Sequence, residues 1–132
     1  MDREIYELLK TFAAAWNAHD VDALVDCMTE DGEFRAAAGD APGGDLHVGH
    51  AGLRRAFTAI FSRFPDARWL DPLHAVFGDV ALSEWTFSGT DLSGVVVLAR
   101  GCDVFRIRDG KIAVKDTFRK QVSVPAREGE AE

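Results

Sequence analysis

Asp103 is the residue in this chain most suited to chemistry, because of the company it keeps. In the stretch 95–108 the odd positions are Val95, Val97, Ala99, Gly101, Asp103, Phe105 and Ile107. The even positions are Val96, Leu98, Arg100, Cys102, Val104, Arg106 and Arg108. Read with the two-residue period of a strand, Asp103 is the only charge on its face. A carboxylate among apolar neighbours must be paired, hydrogen-bonded or protonated, because burying it bare is costly. Such a group is a candidate acid or hydrogen-bond donor in proton transfer. The same pattern also fits a structural ion pair bracing two strands.

The partner of Asp103 depends on the turn at Asp109-Gly110. A two-residue turn pairs Arg108 with Lys111, Asp103 with Asp116 and Arg100 with Arg119, three like-charge pairs that destabilise a sheet. A three-residue loop with Gly110 in a bulge instead sets Asp103 against Lys115, Gly101 against Thr117 and Val104 against Val114. The second register is preferred, making Asp103 and Lys115 a candidate acid–base pair. It also gathers Val96, Leu98, Cys102, Val104, Ile112, Val114 and Phe118 on the other face. A sheet apolar on both sides needs cover on both, which predicts a pocket under one face and a homodimer through the outer one.

A third candidate is His74. If Gly78-Asp79 makes a two-residue turn, His74 faces Ser83 on the side of Trp85, where an imidazole near neutral pKa can act as acid or base. A core histidine bonded to Ser83 fits the position equally well. Phe12, Trp16, Phe34, Phe57, Phe61, Trp85, Phe87 and Phe105 are expected around the cavity, with Thr117 and Arg119 on the Lys115 face. Arg119 either draws an acidic ligand or snorkels to solvent. Glu84 has the opposite parity to Trp85 and reads as outer-face. His47 reads as a loop residue near the pocket mouth, and His19 and His50 as helix-boundary residues. No His, Asp, Glu or Cys spacing makes a metal site, and no Gly-rich phosphate loop follows a strand, so no cofactor is expected.

These residues must be positioned by helices that come first and strands that come last. Ile5, Leu8, Leu9, Phe12 and Trp16 recur at helical spacing, predicting a helix over about 3–18. Asp20 reads as the N-cap of a short helix, 21–28. Thr29–Gly32 reads as a turn, 33–37 as a short strand and Gly39–Gly44 as a loop. A third helix is expected from His50 to a stop at Pro65. Strands are expected at 67–77, 80–88, 95–108 and 111–122. The order makes an α+β domain over 1–122, with 123–132 a polar, fraying tail.

Composition sets outer bounds. At 132 residues the chain is one domain, and nine Phe, three Trp and a single Tyr make an aromatic interior short of hydroxyls. The net charge of −7 opposes nucleic-acid binding, which needs clustered cations. Two cysteines form no framework, and no leader pattern or membrane-length apolar run appears. A cytoplasmic protein with reduced thiols is the expectation.

The segment from Phe12 through Trp16, Asn17 and Asp20 to Asp31 resembles the opening helices of the SnoaL-like polyketide cyclase and ketosteroid isomerase group. Ser83-Glu-Trp85-Thr-Phe87, and the stretch from Arg100 through Asp103 and Gly110 to Phe118, resemble its last strands. The resemblance implies the nuclear transport factor 2-like, or cystatin-like, fold: a cone of helices on a curved, mostly antiparallel sheet enclosing a pocket. By spacing from Asp20, Phe12 falls where ketosteroid isomerases place an oxyanion-hole tyrosine, and Ala36 where they place the base. Asp103 falls on their second oxyanion donor. Lys115 and Thr117 stand where the cyclases have histidine and aspartate, and the Asp-Arg-Asp set of limonene-epoxide hydrolases has no counterpart. The expected function is therefore either acid–base isomerisation, cyclisation or dehydration of a hydrophobic small molecule, or ligand binding and assembly without catalysis.

Overall fold

The apolar stripe of the N-terminal segment forms helix α1 (Asp2–Asn17), which buries Ile5, Leu9, Phe12, Ala15 and Trp16. This is a computed structural model, and it describes residues 2–122. Asp20 caps α2 (Val21–Asp26) as expected, its carboxylate accepting the Ala23 N–H at 3.0 Å. Helix α3 (Gly49–Arg63) ends at Phe64, next to the proline that cannot continue it. The expected tail, 123–132, lies outside the described residues.

Six strands make one sheet in the order β2-β1-β6-β5-β4-β3. They are β1 (Met28–Arg35), β2 (Leu46–Val48), β3 (Arg68–Phe77), β4 (Val80–Thr90), β5 (Val96–Arg108) and β6 (Lys111–Arg119). All pairings are antiparallel except β1 with β6. The domain is α+β, as expected. Strand β4 alternates strictly, with every odd residue from Ala81 to Gly89 buried against the helices. No helix among the described residues is long and apolar enough to cross a membrane.

Three local readings are corrected. Residues 29–32 are part of β1 rather than a turn, because β1 tolerates an irregularity between Met28 and Glu33 in its pairing with β6. Residues 46–48 form an edge strand on β1, pairing Phe34 with His47, which is thus no loop residue. The second short helix stops at Asp26, and Met28 already belongs to the sheet.

The last hairpin follows neither expected register. Asp109 and Gly110 both have positive φ (53° and 74°), the signature of a two-residue primed turn, so Arg108 does face Lys111. These cations are relieved off the strand: Arg108 pairs with Asp31, and Lys111 donates to the Asp26 carbonyl at 2.7 Å. The pairing then slips at Ala113, where Arg106 meets Val114 while Ile107 meets Ile112. Beyond that bulge Asp103 pairs with Thr117, Val104 with Asp116 and Gly101 with Arg119. The expected cross-strand pairs of Asp103 with Lys115, Gly101 with Thr117 and Val104 with Val114 are therefore each displaced by two. The bulge also turns Ile112, expected on the outer face, into the core.

Candidate functional site

A displacement by two residues preserves the face. Lys115 is one pleat from Thr117 on β6, so it reaches Asp103 diagonally while Asp116 points to the opposite side. Oδ1 of Asp103 accepts from Lys115 Nζ at 2.7 Å and from Thr117 Oγ1 at 2.5 Å. Oδ2 accepts from Trp85 Nε1 at 3.0 Å. Lys115 Nζ also donates to Thr117 Oγ1 at 2.7 Å. The two charged side chains are only 6% and 7% exposed. The Lys115 ammonium lies 4.7 Å from the Phe34 ring centre and 5.1 Å from that of Trp16. Carboxylate, hydroxyl and two π faces thus replace the water that burial removes.

His74 pairs with Ser83 across β3 and β4, and its Nδ1 lies 2.7 Å from Ser83 Oγ. Burial pushes the imidazole below its ordinary pKa of 6.5, and the charge of Lys10 adds to the effect. Ser83 in turn faces Asp103 across β4 and β5. The two networks are thereby brought to neighbouring positions on one inner surface.

They share a narrow cavity of about 30 Å³. Of the sequence-predicted residues, Phe12, Trp16, Trp85 and Phe105 line it together with Asp103, Lys115 and His74. The others stand behind that wall. Phe57 and Phe61 pack on Trp16 with ring centres at 4.9 and 5.4 Å, and Phe34 packs on Phe57. Thr117 touches Asp103 from the side. Phe87 belongs to a separate cluster with Phe64, Ala67 and Trp85, and Arg119 lies over its ring. The indole N–H of Trp16, one of the lining residues, is buried without a partner among the described residues.

Sequence reasoning missed Trp69, which lines the cavity and is held by Asn17, whose side chain bonds its backbone N–H and C=O at 2.8 and 3.0 Å. Its parity is opposite to that of His74, yet both face inward. The reason is an irregularity between Leu70 and Leu73, where Asp71 takes a positive φ of 53° and Pro72 has no N–H to give. Asp71-Pro72 inside an otherwise alternating run was the available signal.

On the outer side of the sheet lies a broad open groove of about 910 Å³, bordered by Ala36, Pro42–Gly44, Cys102 and Phe118. It carries the Arg100–Glu84 ion pair at 2.6 Å, which places Glu84 on the outer face as expected. Ala36 borders this groove and not the inner cavity.

The family model of the SnoaL-like domain matches residues 9–115. The chain belongs to the SnoaL-like family. Solved structures agree on its fold. A proposed polyketide cyclase from Xanthomonas campestris pv. campestris is similar over 98% of this chain and 96% of its own, at 18% identity and a TM-score of 0.77. A nuclear transport factor 2-like protein of unknown function from Mesorhizobium loti is similar over 91% and 93%, at 25% identity and a TM-score of 0.74. TerC, crystallised with polyporic acid, is similar over 89% and 92%, at 20% identity and a TM-score of 0.76. No curated protein matches this SnoaL-like chain in sequence.

Proposed function

We propose that this SnoaL-like protein performs metal-free acid–base chemistry, such as isomerisation, cyclisation or dehydration, on a small, largely hydrophobic molecule. The observation that carries this reading is the convergence of two proton-handling networks, Asp103–Lys115–Thr117 and His74–Ser83, on one aromatic-walled cavity. In the proposed scheme Asp103 and Lys115 act as the acid pair. His74, which burial keeps neutral, acts as the base, and the Trp16 N–H supplies a donor to substrate oxygen. The remaining aromatic side chains give the substrate its apolar surroundings. At about 30 Å³ the cavity has room on the scale of a water molecule, so admitting a substrate requires the aromatic wall to part. TerC with polyporic acid is a precedent for a small organic molecule on this fold.

A second reading, a non-catalytic homodimeric binding or assembly module, is favoured by one observation. Both oxygens of Asp103 already serve protein donors, so a proton offered to substrate must displace one of them. Native mass spectrometry of the purified chain separates the readings by identifying any retained molecule, whose compound class is then assayed for turnover. The catalytic reading expects turnover by the native chain and its loss in Asp103→Asn with an unchanged near-ultraviolet spectrum. Turnover that survives in Asp103→Asn removes Asp103 from the chemistry, and a retained molecule that is never converted favours the binding module.

A further inference from the structure

The inner cavity meets solvent along one seam. Of its lining residues only Ala13, Trp69, Pro72 and His74 are open to water, and all the others are buried. Ala13 stands on α1 and the other three on β3. The path from water to Asp103 and Lys115 therefore runs between that helix and that strand.

Strand β3 is weakly held at this place. It is the last strand of the sheet, so only β4 pairs with it. Leu70 pairs with Thr86 and Leu73 with Glu84, which leaves Asp71 and Pro72 together against Trp85 without a ladder partner. Asp71 has a φ of 53°, in the left-handed region that few residues other than glycine adopt, and Pro72 has no N–H to bond. Asn17, the exposed last residue of α1, ties this segment down. Its side chain accepts from the Trp69 N–H at 2.8 Å and donates to the Trp69 C=O at 3.0 Å. Among the described residues these are the only hydrogen bonds between α1 and β3. Trp16 against Trp69 and Tyr6 against His74, with ring centres at 4.8 and 5.7 Å, add aromatic contacts across the seam.

We propose that the Asp71-Pro72 bulge is the gate of this cavity and Asn17 its latch. When the Asn17 amide lets go, Trp69–Pro72 moves away from α1, and the regular pairing that resumes at Leu73 confines the motion. A small neutral molecule then passes along the seam to Asp103. Closed, the same segment leaves a space of only about 30 Å³. The gate rests on the cavity being a small-molecule site, catalytic or not. Its test needs neither turnover nor a known ligand, so the gate and the acid–base reading can fail separately.

The test is the entry of methyl methanethiosulfonate, a small neutral reagent, into the full chain carrying Ser83→Cys. Ser83 lines the cavity and is buried, so a thiol in its place is reached through an opening. The thiolate attacks the sulfenyl sulfur, gains a methylthio group and releases methanesulfinate, and the peptide carrying position 83 gains the corresponding mass. Labelling should hold a nearly constant rate in low urea, because a local opening exposes little surface. Adding Asn17→Ala removes two hydrogen bonds from the closed form and should quicken labelling by about tenfold. With Ser83 intact, hydrogen exchange at the Trp85 indole N–H should show the same two responses. A rate that climbs with urea in step with global unfolding, or one that Asn17→Ala leaves unchanged, overturns the gate.

Discussion

Lys115 and Asp103 join at 2.7 Å although they are not cross-strand partners: Thr117 faces Asp103, and Lys115 faces Phe105. The pair is diagonal, set by a bulge at Ala113, and almost wholly buried. Removing one member strands the other in the core. Lys115→Met is expected to cost about 3–5 kcal/mol, whereas Asp103→Leu with Lys115→Met should come near the native stability or exceed it. Urea denaturation of the native chain, Lys115→Met, Asp103→Leu and the double variant provides the cycle, and a cheap single substitution would show the pair to be solvated.

Much of this site was legible from parity alone. A lone acid on an apolar face requires a partner on the facing strand, so either Lys115 or Asp116 had to be beside Asp103, and like-charge repulsion favoured Lys115. His74 opposite Ser83 followed from a simple turn at Gly78-Asp79. The bulge position in the last hairpin was not legible, because one extra residue changes strand energy little locally while inverting every side chain beyond it. Placing that extra residue at Gly110 gave the right face from the wrong pairing, and sent Ile112 to the wrong side. At Asp71-Pro72 the same kind of inversion hid Trp69.

Gly101 matters for the other side of Asp103. It faces Trp85 across the strands, and a Cβ there would lie 2.5 Å from the Trp85 ring and 2.6 Å from the Phe118 carbonyl. Gly101→Ala must therefore push the indole off β5 and away from the Asp103 carboxylate. A loss of about 1–3 kcal/mol is expected from the overpacking. The side-chain N–H resonance of Trp85, which reports its bond to Asp103, should move with it. An unchanged indole resonance would show that the ring does not depend on the missing methyl.

His74 links stability to acidity. Its folded-state pKa is lowered by burial first and by Lys10 second, so the unfolded chain takes up a proton that the folded chain resists. The resulting stability is fully present above the ordinary value of 6.5 and is lost as pH falls toward the lower folded pKa. His74→Gln, which can still bond Ser83, should lose less stability on acidification below about pH 6.5 than the native chain. Denaturation midpoints across that range measure the difference, and parallel curves for the two proteins would remove His74 as the source.

The outer face of the sheet supplies the last expectation. Val96, Leu98 and Phe118 are each more than half exposed there, on the central strands β5 and β6. Apolar side chains in mid-sheet are far better covered than left in water, and a two-fold copy of the same face is the simplest cover. The charges beside them suit that arrangement, since Arg100 and Glu84 already neutralise each other and Asp116 has Arg35 at 3.8 Å. Leu98→Lys and Phe118→Lys together should convert a dimer to a folded monomer in sedimentation velocity. The inner networks lie on the opposite side of the sheet, so the near-ultraviolet spectrum should be preserved. A native chain that sediments as a monomer at every concentration tested removes the interface from this face.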